Sequence, residues 1–293
     1  MLFRSNLACS GLAPNTREAD WLAMAGDNEK LKNGMEGLYR LFQKAAVLGS
    51  LINPRAAEGD LLVAAFHELQ PLLEQALAQE TEDDTAHEMA VTARGPAKAA
   101  EILAGQFTLV ATNVHYLGRG NQDDELQSYC ERVHPEAKAD LATCFVERCV
   151  DFCSSNGVTA LVTPQIWLFL EGYKALRVKL LDVTSWPSVV RLGPGAFETI
   201  SGEVVNAALF LIERKQPTSD RVIAAFDVAD MASVSAKAAS LLSLAPRFVK
   251  QSDQRKNPDA RVTLTGYVDT PLLGKLAISN EGLSTGDRDR FIR

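Results

Sequence analysis

The sequence predicts an α/β protein whose sheet of mostly parallel strands begins about a third of the way along its 293 residues. Three observations carry this. Apolar, β-branched runs recur at 107–112, 158–163, 183–192 and 204–212. Segments with helical spacing fall between them, at 137–153 and 169–181. Such alternation argues for parallel strands with crossover helices. Ahead of Gly105 the apolar period is helical only.

The elements are expected in the following order. Thr16, with Glu18 and Asp20 behind it, suits a helix start. Glu29 to Lys44 carries Leu31, Met35, Leu38, Leu41 and Phe42 on one helical face, and Gly49 to Pro54 interrupts it. Asp60 caps a further amphipathic helix with a stripe of Leu62, Phe66, Leu69, Leu73 and Leu77. Thr85 to Ala104 reads as another, weakened by Gly95-Pro96. Phe107 to Thr112 has the composition of a buried parallel strand. The helix from Ala137 to Cys153 puts Leu141, Cys144, Phe145, Cys149 and Phe152 on one face, and the run at 204–212 suits a strand in a hairpin with its neighbour. Lys215-Gln216-Pro217 reads as a linker, Asp227 to Leu244 as a helix, and Arg247 to Arg261 as a polar, basic stretch. The expected division is 1–105 mainly helical, 106–215 the α/β half, and 216–293 a linker and a further region.

Composition narrows the function. The net charge of −7 argues against gripping nucleic acid by general basicity, so any such contact must be local. No apolar run reaches the ~18 residues needed to cross a bilayer, and the N-terminus lacks the pattern of a secretory signal. The expected location is the cytoplasm. Five cysteines without a Cys-x-x-Cys pair give neither a disulfide framework nor a zinc ribbon. Cys144, Cys149 and Cys153 near His134 share one helix stripe, which suits packing better than a metal, and no metal site is expected.

The suspicious point is where the first strand stops. The run ends at Asn113-Val114-His115-Tyr116, followed by Leu117-Gly118-Arg119-Gly120-Asn121-Gln122. Ligands of open α/β sheets sit beyond the carboxyl ends of the strands. The tetrapeptide resembles motif IV of the amino-group DNA methyltransferases, Asn/Asp-Pro-Pro-Tyr/Phe. The resemblance continues through Lys138-Ala139-Asp140-Leu141, Thr163-Pro164-Gln165-Ile166-Trp167-Leu168, Leu192-Gly193-Pro194-Gly195-Ala196-Phe197 and Gly282-Leu283-Ser284-Thr285-Gly286. In that order these segments resemble the adenine-specific DNA methyltransferases of BREX-type phage defence (PglX) and their type II restriction-modification relatives, over roughly residues 105–293. The implied fold is a partial class I (Rossmann-like) methyltransferase sheet, with 216–293 opening a DNA target-recognition region.

The resemblance implies roles. The Asn113 side chain and the Val114 carbonyl would accept the two amino hydrogens of a flipped adenine, and the Tyr116 ring would stack on it. His115, Gly118, Arg119, Gly120, Gln165 and Trp167 would line the DNA or target pocket, though Trp167 equally suits the core. Asp140 and Leu141 would flank the S-adenosylmethionine pocket, though Asp140 also suits a helix N-terminus. Double-stranded DNA is the implied partner. Val114 and His115 depart from the two prolines of the motif, and a histidine in the second place frees a backbone that proline would stiffen. The family's glycine-rich cofactor loop is not found before Asn113. The chain therefore reads as a middle slice of the enzyme, inactive alone, with a sheet edge that calls for a complementing methyltransferase polypeptide or another defence-system subunit. The rival reading is a non-catalytic interaction module that keeps the fold.

Overall fold

A computed structural model describes residues 7–8, 17–23, 25–55, 95–197, 205–266 and 276–277. The expected helix capped by Asp60, the acidic turn after it and the glycine pair at 282–286 lie outside the described residues.

The N-terminal region is helical: α1 (Glu18–Ala23), α2 (Glu29–Phe42), α3 (Ala45–Leu48) and α4 (residues 95–104). Met35, Leu38 and Phe42 are buried along one face of α2, and Trp21 donates its indole N–H to the Met35 carbonyl at 2.7 Å. β1 (Phe107–Asn113) opens the sheet, and α5 (Asp124–Val133) and α6 (Leu141–Phe152) lead to β2 (Cys153–Pro164). Asp123 caps α5 by accepting from Leu126 N at 2.8 Å, and the acidic pair Asp124 and Glu125 suits that end of the helix dipole. α5 went unforeseen because only Leu126 and Cys130 of its ten residues are buried, too few for a visible stripe. Two short 3₁₀ turns and α7 (Lys174–Val183) return the chain to β3 (Ser185–Gly193).

β4 (Ala207–Glu213) does more than form a hairpin. It lies between β2 and β3 and is antiparallel to both. The chain then continues past the expected linker into the same sheet. β5 (Val222–Asp227) runs parallel to β3, and β6 (Arg247–Lys250) closes the order β1-β2-β4-β3-β5-β6. The helix expected over 227–244 is shorter, α8 (Val234–Ser243), because β5 extends to Asp227 and Ser233 supplies the cap by accepting from Ala236 N. A four-residue helix, α9 (Gln251–Gln254), follows β6. β1, β2, β3 and β5 point one way and β4 and β6 the other, so the sheet is mixed with a parallel majority.

Burial alternates along the strands with the period of the pleat. Leu161, Phe210, Val189 and Ala225, which pair across four strands, are all nearly inaccessible. They share their face with α6, which packs on β1 and β2, and with Leu176, Leu180 and Leu181 of α7. The opposite face is open among the described residues. The row Ala111–Ala160–Leu211–Ser188–Ala224–Phe248 spans all six strands, and none of its members is buried.

β1 corrects an expectation. It is parallel to β2, but none of its residues is buried, and Leu109 is 61% exposed. Among the described residues β1 pairs only with β2, so its apolar composition fits a strand that this part of the fold does not enclose. The helical region is not a separate body either. Arg148 of α6 is 2% exposed and donates to the carbonyls of Ser50, Ile52 and Leu103, and Tyr129 donates to the Leu51 carbonyl. One hydrophobic cluster runs from Trp21 to Leu264.

Candidate active site

The carboxyl ends of β1, β2, β3 and β5 share one rim of the sheet, which carries two separate groups of polar side chains. Asn113 ends β1 in register with Val162 of β2 and is exposed. The ladder runs one residue further: Val114 N donates to the Val162 carbonyl at 3.2 Å, and the Val114 side chain is 5% exposed. Tyr116 folds back so that its hydroxyl lies 3.5 Å from Asn113 Oδ1, with its ring packed against the core cluster. Burial, then the negative charge of Asp140, raise its pKa, so the phenol stays a neutral donor. His115 between them faces solvent.

Hydrogen bonds stiffen the loop where the resembled motif uses prolines. Leu117 is held from three sides. Its N–H reaches Asp140 Oδ1 at 3.4 Å, and its carbonyl accepts from Leu141 N at 2.9 Å and from Gln122 Nε2 at 3.0 Å. Arg119 N donates to the Ala139 carbonyl at 3.0 Å, and Gly118 bridges to Asp140. The Arg119 side chain pairs with Glu131 at 2.7 Å, which turns that charge toward α5. Gly120 is exposed.

Two assigned groups fall elsewhere. Trp167 is 1% exposed and belongs to the core, so the expectation that it lines a DNA pocket is corrected. Its ring centroid lies 4.7 Å from that of Phe210 and 5.7 Å from that of Trp186, and its N–H donates to Thr163 Oγ1 at 2.9 Å. Asp140 caps α6 by accepting from Ala142 N at 2.8 Å, and Leu141 is a core side chain. Asp140 and Leu141 thus serve the fold at the start of α6, and they contribute capping and packing there. In the turn after Gly118, Asn121 N donates to the Gly118 carbonyl and Gln122 N to the Arg119 carbonyl. The cysteine stripe is packing: Cys130, Cys144, Cys149 and Cys153 are buried free thiols, and burial pushes Cys149 up to about 12 and Cys153 to about 11.

The rim also holds side chains that sequence reasoning did not single out. Arg191, near the end of β3, donates from Nη1 to Asp227 Oδ2 at 2.9 Å and from Nε to Gln165 Oε1 at 3.4 Å. The Phe169 ring lies 5.5 Å from its guanidinium carbon. The available signal was the one that drew attention to Asn113, a polar residue closing an apolar run: Val189-Val190-Arg191, and Ala225-Phe226-Asp227.

Comparison with known proteins gives the family. The Eco57I restriction-modification methylase family matches residues 36–197, more than half of the chain. The chain belongs to that family. The match starts well before residue 105 and so includes part of the helical region. The matched span takes in α3 and α4, and Arg148 ties α4 and the turn after α3 to α6. Among curated relatives, the chain is 30% identical over 264 residues to the adenine-specific methyltransferase BrxX of Escherichia coli O9:H4 (strain HS), covering 86% of this chain and 21% of that protein. It is 34% identical over 121 residues to the adenine-specific methyltransferase PglX of Lacticaseibacillus casei (strain Zhang), covering 41% of this chain and 10% of that protein. The chain thus spans about a fifth of one curated relative and matches a tenth of the other. A solved type I restriction-modification methyltransferase subunit from Streptococcus thermophilus aligns over 86% of this chain and 75% of its own, at 14% identity and a TM-score of 0.41. No described helix is long and apolar enough to cross a membrane.

Proposed function

We propose that this chain forms the target-base grip of an adenine-specific DNA methyltransferase acting in phage defence or restriction-modification. The observation that carries the reading is the pairing of Asn113 and Tyr116 on the carboxyl rim, at the end of a parallel strand.

Methylating the exocyclic amino group of adenine requires the base to leave the duplex. Once out, its two amino hydrogens need acceptors that fix the nitrogen lone pair in one direction. Asn113 Oδ1 and the Val114 carbonyl supply two acceptors on adjacent residues. Tyr116 supplies a flat ring whose hydroxyl stays protonated and so adds no negative charge near the base. His115 projects beside them into solvent. S-adenosylmethionine is the methyl donor the family implies. The residues on this rim would do the holding and orienting of the base.

The test needs no cofactor. Short labelled duplexes carrying one bulged adenine or one bulged thymine, which has no amino group, are titrated with the chain. A bidentate contact to a base is worth ~1–3 kcal/mol, so adenine should bind roughly 5- to 150-fold more tightly. Asn113→Ala should erase that preference. Retention of the full preference by Asn113→Ala would sink the assignment and favour a non-catalytic module.

A further inference from the structure

The geometry points to Arg191 as a contact for a DNA backbone phosphate beside the extruded adenine, with Asp227, Gln165 and Phe169 holding its guanidinium in place. This rests on the base-gripping reading above.

Arg191 sits where a ligand of such a sheet would pass. Strand register places Thr163, Ala208, Arg191 and Asp227 in one row, next to the row of Asn113, Val162, Leu209 and Val190. Three strand spacings separate β1 from β3, about 14 Å at ~4.8 Å each. A duplex strand rises about 3.4 Å per nucleotide and lengthens when a base is drawn out, so the Arg191 backbone lies within roughly two to four nucleotides of Asn113 along a strand laid on the rim. Adjacent rows face opposite ways, so Asn113 and Arg191 rise on opposite sides of the rim and a strand laid along it would pass between them.

The side chain is prepared for such a contact. Asp227 holds Nη1, Gln165 holds Nε, and the Phe169 ring restrains the plane. Asp227 is itself oriented, since its other oxygen accepts from Ala229 N at 3.2 Å. The Arg191 side chain remains 30% exposed, and among the described residues Nη2 has no protein partner. A half-exposed ion pair stabilises a fold by only ~0–1 kcal/mol, too little to account for a guanidinium restrained from three sides. Planar N–H donors on a fixed fork match phosphate oxygens. In a chain of net charge −7, DNA contact must rest on a few placed cations of this kind. Arg119 is not one of them, being turned to Glu131.

The experiment measures affinity against salt for the bulged-adenine and bulged-thymine duplexes. Loss of one phosphate contact lowers the slope of log K against log salt by about 1. Arg191→Gln should show that drop equally on both duplexes and leave the adenine preference intact. Arg191→Lys keeps the charge and should keep the slope. Asp227→Asn removes the internal competing anion and should tighten binding several-fold. An unchanged slope in Arg191→Gln overturns the assignment, as does unchanged affinity in Asp227→Asn should Arg191→Gln fail to fold. The two readings fail separately: loss of adenine preference belongs to Asn113 and loss of salt slope to Arg191. Absence of binding by the wild-type chain to either duplex overturns both.

Discussion

Replacing Trp167 separates core from pocket. The indole is 1% exposed, lies against Phe210 and Trp186, and donates to Thr163. Trp167→Ala removes one of the two tryptophans packed against Phe210. Truncating a buried aromatic costs about 3–5 kcal/mol, and the two ring contacts place this site toward the upper end. No further penalty arises from the hydroxyl left behind, because Thr163 already donates to the Pro164 carbonyl at 3.1 Å. The Trp167 carbonyl keeps its bond from Arg177 in any variant, since that contact is to the backbone. At ~2–4 °C per kcal/mol for a domain of this size, Tm should fall by roughly 8–20 °C. Far-UV circular dichroism during urea unfolding reads the change without relying on tryptophan emission. Trp167→Phe should recover most of the loss. An unchanged midpoint together with weakened duplex binding would refute the packing argument and return Trp167 to the DNA pocket.

Two further predictions use the rest of the fold. Glu147 is 7% exposed and takes His134 Nδ1 at 2.8 Å and Lys179 Nζ at 2.7 Å. Burial alone would raise its carboxyl, but those two bonds outweigh it and hold the pKa below the ordinary 4.5. The stabilisation is therefore present above the ordinary carboxylate range and is lost as pH falls through the lowered value. Glu147→Gln should be less stable than wild type by about 1.5–3 kcal/mol at neutral pH, a gap that closes in acid; a gap independent of pH would contradict the ion-pair account. The second prediction compares neighbours on opposite faces of β4. Leu211→Thr, on the open face, should stay within about 0.5 kcal/mol, whereas Ile212→Thr, at 0% exposure, should lose about 2–3 kcal/mol in the same unfolding assay. Equal losses would mean that the open face is covered in solution.

β1 to β4 were legible because each is an apolar run bounded by turn residues, and Asn113 was legible because it stops one of them; β5 and β6 were missed, being short and, in β6, flanked by basic residues. The sheet order was not legible. Nothing in Ala207–Glu213 states that it inserts between β2 and β3, since strand neighbours are chosen by long-range packing. The apolar composition of β1 suggested burial, yet composition does not reveal whether the neighbouring strand is present. Trp167 follows a strand as Gln165 does, but two residues decide which points to the rim and which into the core. The rim cluster was hidden for a similar reason. Arg191 and Asp227 close two strands and Gln165 follows a third, so they meet only through the register of the sheet.

The departure from the resembled motif at His115 can be weighed on the same grounds. Proline at that place stiffens the loop holding the base acceptors. Here Val114 is fixed by its ladder bond and its burial, and Leu117 by Asp140, Leu141 and Gln122. Only His115 and Tyr116 lie between these anchors, so most of the stiffness is already supplied by other means. Among the described residues, no hydrogen bond to the His115 amide is found, so proline would remove no bond there. A proline at a compatible site gains about 0.4–1 kcal/mol by restricting the unattached loop. If that ordering is what adenine binding must otherwise supply, His115→Pro should tighten the bulged-adenine duplex by about two- to five-fold and leave bulged thymine unchanged. Weaker adenine binding would instead make the imidazole a direct contact of the base, and the substitution a change in how this chain reads its target.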